Sequence, residues 1–262
     1  MKIIDLTNEH LEDFLICLED WSDYMAVSGV HKREWVKRML PLGLRVKLAL
    51  GDDGILAGFI QYAPIEHSFV LGKDLYFVFC IWIHGHKAGR GDLTGKGMGK
   101  ALLKAAEEDA KALGSKGLVV WGIDAPFWMT AAWFEKHGYE ACDRQEGMVL
   151  LIKKFADDAQ APSWVTETKI PPVDPGVLTI HAFKQGWCPG QNATYENAKA
   201  VAAEFGARVR FVEYDTQDRK IFAEWGHSDI IFLDDQPLTW GPPLSKDQIR
   251  EKVLAHLQAT GK

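Results

Sequence analysis

Apolar residues recur along this chain at two spacings, near 3.6 and at strand periods, and the switches between them mark its elements. The run Ile3-Ile4-Asp5-Leu6 opens the chain as a short strand. Leu11, Phe14, Leu15, Leu18 and Trp21 then recur at helical spacing, which predicts a helix over 9–25 capped by Thr7 or Asn8. A second helix is expected over His31–Leu40, stopped by Pro41. Arg45–Leu50 and Ile55–Tyr62 read as strands, and Gly51-Asp52-Asp53-Gly54 between them is a hairpin signal. Residues Leu75–Ile83 are continuously apolar. A strand without polar alternation is covered on both faces, so this one is expected at the centre of a sheet.

The loop His84–Leu93 leads to a helix over Met98–Leu113. Ala101, Leu102, Ala105 and Ala106 are expected on its buried face, with Lys104, Glu107, Glu108 and Lys111 toward solvent. A strand over Gly117–Gly122 and a helix over Trp128–Lys136, ended by Gly138, come next. Strands Tyr139–Asp143 and Met148–Phe155 complete the order β-α-α-β-β-β-α-β-α-β-β. Ala156–Gly176 holds Pro162, Pro171, Pro172 and Pro175 and reads as an extended connector. The pattern then restarts with strand Leu178–Phe183, helix Gln191–Phe205, strand Val209–Tyr214, helix Asp218–Trp225, strand Ile230–Leu233, strand Pro237–Trp240 and helix Lys246–Leu257. The predicted division is therefore a domain over 1–155, a linker over 156–176 and a domain over 177–262, in the α/β (α+β) class.

Length agrees with that division, since 262 residues suit about two domains at roughly 150 residues each. Apolar content of 47% and charged content of 25% are those of an ordinary globular chain. The net charge of −6 argues against nucleic acid as the main partner, and no apolar run is long enough to span a bilayer. Cys17, Cys80, Cys142 and Cys188 are scattered without a CxxC pair, so neither a metal cluster nor a disulfide framework is expected. Reduced thiols and an N-terminus that turns polar after four residues suggest a cytoplasmic protein.

One segment carries chemistry. Thr94-Gly95-Lys96-Gly97-Met98-Gly99-Lys100 follows the central strand and opens a helix. Its glycines leave backbone N–H groups uncovered, the helix N-terminus adds unpaired donors, and Lys96 and Lys100 add charge. These features together suit a diphosphate. A nucleotide P-loop needs Lys-Ser or Lys-Thr after its last glycine, and here Ala101 follows Lys100. The dinucleotide spacing GxGxxG is absent as well. A glycine-rich turn without a ligand is the alternative for the loop taken alone.

The loop and the element order around it resemble the GNAT acetyltransferase superfamily, whose coenzyme A loop runs Arg/Gln-x-x-Gly-x-Gly/Ala. Thr94 stands where that pattern has its basic or amide residue. Ala131-Ala132-Trp133-Phe134-Glu135-Lys136-His137-Gly138-Tyr139 resembles the family's second signature, Phe-Tyr-Glu-Lys-x-Gly-Phe. The resemblance spans nearly all of 1–155. It implies a mixed central sheet, acetyl-CoA as co-substrate without a metal, and direct attack of a primary amine on the thioester. It also implies a splayed central strand whose free backbone holds the pantetheine arm, with Trp82 and Ile83 nearest the loop. Phe134 occupies the position of the family's tyrosine acid and has no proton to give. Glu66 and His84 are the catalytic candidates put in its place, with His67, Cys80 and His86 also near the strand.

The order from 177 onward resembles a small thioredoxin-like domain, βαβ-αββα. Gly186-Trp187-Cys188-Pro189-Gly190-Gln191 sits where the redox turn Trp-Cys-x-x-Cys would, with Gln191 in the second cysteine position. Cys188 beside a helix N-terminus is the candidate reactive thiol. The pairing of both halves resembles the YoaP-like group of bacterial acetyltransferases. Expected partners are a small amine acceptor and a second copy of the chain, with no nucleic acid and no membrane. The alternative is a thiol-redox or binding protein working through Cys188, its first half sensing acyl-CoA.

Overall fold

The expected helix over 9–25 breaks in the middle. In the computed structural model, which describes residues 1–20, 22–125, 128–238 and 242–262, β1 (Lys2–Asp5) leads through a 3-10 turn into α1 (Leu11–Leu15). Cys17 and Leu18 then take positive φ values of 53° and 64°. Leu18 N–H donates to the Asp13 carbonyl and Cys17 N–H to Phe14, the bond pattern of a helix stop. A new helix, α2 (Asp23–Met39), absorbs the expected second one and ends before Pro41. Phe14, Leu15 and Leu18 are buried as the stripe requires, while Trp21 lies outside the described residues.

Two units are distinguished by their internal contacts: Met1–Trp21 with Val36–Val165, and Ser22–Trp35 with Thr166–Lys262. In the first, β2 (Arg45–Leu50) and β3 (Leu56–Pro64) form the expected hairpin. Short β4 (Val70–Leu71) precedes β5 (Tyr76–Ile83), which is followed by α3 (Met98–Ala112), β6 (Gly117–Ile123), α4 (Ala131–Glu135), β7 (Glu140–Gln145) and β8 (Met148–Lys154). The sheet order is β1-β2-β3-β5-β6-β8-β7, so the apolar β5 is its fourth and central strand. All pairs are antiparallel except β5 with β6. That one parallel pair makes the sheet mixed, as expected. The stretch read as connector begins within this unit: β9 (Ser163–Trp164) pairs with β4, and Trp164 stacks on Phe69.

α3 is held to the sheet by charge as well as by its apolar stripe of Met98, Leu102, Leu103, Ala106 and Ala110. Asp109 accepts from Arg45 Nε at 2.9 Å, Tyr62 Oη at 2.7 Å and Lys47 Nζ at 3.3 Å. Burial pushes the Asp109 pKa up, but the Arg45 and Tyr62 hydrogen bonds outweigh it and hold the carboxyl below its ordinary range. Glu107, expected to face solvent, instead receives Lys153 Nζ at 3.0 Å and Tyr139 Oη at 3.2 Å. Its spacing allows either face, and a partner on the neighbouring strand decides it.

The second unit has β10 (Leu178–Lys184), α5 (Pro189–Glu204), β11 (Val209–Asp215), α6 (Arg219–Trp225), β12 (Ile230–Leu233), β13 (Gln236–Pro237) and α7 (Lys246–Thr260). Its strand order is β11-β10-β12-β13, with β10 and β11 parallel and the other pairs antiparallel. It is a distinct α/β unit with its own core around Leu178, Ile180, Val201, Ile249 and Val253. The strand expected over Pro237–Trp240 is seen as Gln236–Pro237 and does not include Leu238; Thr239 and Trp240 lie outside the described residues.

Candidate functional site

Strand β5 parts from β6 almost as soon as it meets it. They pair only at Tyr76–Leu118 and Phe77–Val119, although β5 runs on to Ile83 and β6 to Ile123. The register against β3 shifts between Gln61 and Tyr62, from Cys80 to Val78 across Phe79, a bulge that bends the strand at the point of departure. On the open side, Trp121 Nε1 donates to the Phe79 carbonyl at 3.0 Å and Trp128 Nε1 to the Ile81 carbonyl at 3.3 Å. His84 N–H turns the other way, to Ala57 O on β3. Main-chain groups alternate along a strand. Ile81 and Ile83 therefore turn theirs to the opening, and Trp82 turns its own to β3.

The glycine loop stands at the end of this opening. Gly95 and Gly97 have φ of 73° and 77°, where a side chain would be strained, and nothing lies within 4 Å of a β-carbon at either. Gly97 is the N-cap of α3 and brings no side-chain cap. The helical ladder begins with Ala101 N–H to Gly97 O, which leaves the N–H groups of Met98, Gly99 and Lys100 without intrahelical partners. Met98 buries its side chain and anchors the helix start, while Thr94–Gly97 and Lys100 are exposed. Thr94 plays a different part from its neighbours. Its N–H and Oγ1 both donate to Asp92 Oδ1, at 2.9 and 2.6 Å, so its own N–H is already taken. The hydroxyl and N–H of Thr94 hold the Asp92 carboxyl below its usual range.

The two catalytic candidates fall at opposite ends of β5. His84 is fully buried just beyond Ile83, and its Nδ1 lies 2.7 Å from Gly91 O, which closes the loop back on itself. Glu66 is exposed in the turn Ile65–His67 and accepts from Asp74 N–H, before β5 begins. At about 3.3 Å per residue, the span from Tyr76 to Ile83 puts roughly 23 Å of strand between them. The geometry separates Glu66 from the loop. Cys80 is core, and Phe134 is fully buried against Trp133 and Tyr139.

A carboxylate not singled out by its spacing takes the place near His84. The break after α1 delivers Glu19 to within 3.8 Å of His86 Nε2 (Glu19 Oε1). His86 stands 5.8 Å from the His84 ring and 5.9 Å from the Trp82 ring, centre to centre. Burial raises the Glu19 pKa, and the positive charge that His86 can carry only partly offsets it. Arg90 ties the same region together through Leu56 O, Asp13 and Asp20. Glu19 lies in the segment expected as a helix, whose spacing marks only the apolar stripe, so no sequence signal could have found it.

Cys188 is the N-cap of α5 and half-buried, with Pro189 and Gly190 buried behind it. Among the described residues no group of three or more His, Cys, Asp or Glu could hold a metal ion, and no helix is long and apolar enough to cross a membrane.

Residues 4–139 match the acetyltransferase (GNAT) family. No curated protein matches the chain. Among solved structures, it is similar to the paia N-acetyltransferase of Thermoplasma acidophilum in complex with coenzyme A, at 20% identity over 59% of this chain and 100% of that one (TM-score 0.42). It is also similar to a GNAT family acetyltransferase of Brucella melitensis in complex with acetyl-CoA, at 18% identity over 61% and 91% (TM-score 0.40). A third is the GNAT family N-acetyltransferase YhbS of Escherichia coli in complex with CoA, at 12% identity over 62% and 88% (TM-score 0.44).

Proposed function

Since the chain belongs to the acetyltransferase (GNAT) family and is an acetyl-CoA-dependent N-acetyltransferase, we propose that it acetylates the primary amine of a small acceptor, with Glu19 as the base. The observation that carries this is buried Glu19 beside exposed His86 at the loop end of β5. In this reading the N–H groups of Met98, Gly99 and Lys100 take the diphosphate, with Lys96 and Lys100 adding charge. The pantetheine arm runs along the opening between β5 and β6, and a main-chain N–H of Ile81 or Ile83 polarises the thioester carbonyl.

An ammonium cannot attack. Glu19, with its pKa raised by burial, takes the proton and passes it through His86 to solvent. The thiolate of coenzyme A leaves without a tyrosine, as Phe134 requires. The 1–155, 156–176 and 177–262 division fits the reading, with the last part a thioredoxin-like domain. Its strand order, with one parallel pair at the β11 edge followed by two antiparallel ones, supports that assignment. Gln191 in place of a second cysteine leaves Cys188 as a monothiol.

The test is release of free coenzyme A from acetyl-CoA against a panel of small amines, for the parent chain and Glu19→Gln. The variant is expected to lose about 10²-fold in kcat with acetyl-CoA affinity unchanged. Parent activity should rise with pH through the Glu19 titration, and the variant should lose that limb. A variant that keeps both rate and limb removes Glu19 from the mechanism.

A further inference from the structure

A second chain of proton-carrying groups lies in the other unit, and neither the cradle nor the acceptor chemistry uses it. His31 Nε2 is 2.6 Å from Glu196 Oε1, and His31 Nδ1 is 3.0 Å from Lys184 Nζ. With the carboxylate accepting from Nε2–H, the imidazole keeps a lone pair on Nδ1 and accepts from the lysine. The order Lys184–His31–Glu196 repeats the logic of an activated nucleophile: attacking group, base, and a carboxylate that fixes the base's tautomer. Tyr195 supports both of the first two. Its ring lies 4.4 Å below Lys184 Nζ and edge-to-face with His31 at 5.4 Å. Lys184 also lines a cleft with Gln191, Thr194, Asp229 and Ile231.

From this geometry we infer that Lys184 is a nucleophilic amine that takes an acyl group from an acyl thioester, making it a self-acylation site of the second unit. The family's own co-substrate supplies that electrophile. The Lys184 ammonium first gives one proton through His31 to solvent; the Nζ lone pair so freed attacks the carbonyl carbon, an amide C–N bond forms and the C–S bond breaks. The thiolate leaves with the bonding pair, and the second proton lost from Nζ passes through His31 Nδ1 to the thiolate, giving the free thiol. The product is neutral, so it removes the cation from the Tyr195 face. Burial lowers the Lys184 pKa, while Glu213, Asp215 and Glu196 oppose the shift and Lys199 assists it.

The probe is the acetyl thioester of N-acetylcysteamine, which has no nucleotide and does not need the glycine loop. The full chain is treated with it and acetylation is followed at each lysine by peptide mass spectrometry. Lys184 is expected to react about tenfold faster than exposed Lys73 and Lys87, and Glu196→Gln should erase that advantage without changing Lys73 or Lys87. The Lys184 rate should also reach its plateau at a lower pH than theirs. Gly97→Glu should leave the labelling as it was. Equal rates at Lys184 and Lys73, or an unchanged rate in Glu196→Gln, would overturn the proposal. Labelling that vanishes in Gly97→Glu would instead assign the acylation to the acetyltransferase site. Glu196→Gln keeps the shape of the side chain, and a circular dichroism melt separates lost activation from lost fold.

Discussion

The two units each contain a strand that runs into the N-terminus of a helix, and the two turns are built to opposite ends. Between β5 and α3 the segment Thr94–Gly97 is exposed, four glycines (Gly89, Gly91, Gly95 and Gly97) take positive φ, and the first N–H groups of α3 are left uncovered. Between β10 and α5 the turn is filled. Pro189 and Gly190 are buried, a β-carbon on Gly190 would meet Pro243 at 3.2 Å, and Asn192 Nδ2 donates to Gly186 O at 3.0 Å. A helix N-terminus is thus only half of an anion site. The other half is backbone left uncovered, which the first turn has and the second lacks.

Breaking the open turn should produce the largest effect. Gly97→Glu places a carboxylate at the N-cap and a side chain at φ 77°. Acetyl-CoA affinity should fall at least about 100-fold, read by calorimetry, from lost donors and charge repulsion. Affinity within a fewfold of the parent would remove the loop from the donor site.

Asp109→Ala tests how the far end of α3 is held to β2 and β3. Losing the bonds to Arg45, Tyr62 and Lys47 should cost about 2 kcal/mol in denaturant unfolding. The sign with pH follows from the lowered pKa of Asp109 in the folded state. Its contribution is present above the ordinary carboxylate range and is lost as pH falls through the folded value, below about pH 4. The parent and Asp109→Ala should therefore converge in stability in acid, and a constant gap would refute the ion-pair account.

The smallest change belongs to the closed turn. Gly190→Ala should cost about 1 kcal/mol through contact with Pro243. Acetyl-CoA affinity should not move. A change in affinity comparable to that of Gly97→Glu would erase the contrast between the two turns.

Much of this was legible in sequence because it is periodic or local. The unbroken apolar run 75–83 announced a central strand, and Gly51–Gly54 announced a hairpin; both are where expected. The open turn could be read because glycine at positions 95, 97 and 99 acts through its own backbone. The stop after α1 was not legible, since Cys17 and Leu18 adopt a left-handed conformation that glycine usually signals. Glu66 illustrates the same limit in reverse. It is near the central strand in sequence and about one strand length from the loop in space.

By itself, the sequence determined most of the elements and the glycine turn after the central strand, because these depend on side-chain period and on backbone freedom within a few residues. Only the tertiary structure decided which ionisable groups face one another. Glu19 reaches His86 across a broken helix, and Lys184 reaches His31 across 153 positions of chain. The Trp121 and Trp128 indoles likewise meet the carbonyls of a strand far from them in sequence. Such pairings depend on where distant segments dock, and no periodicity within either segment encodes it.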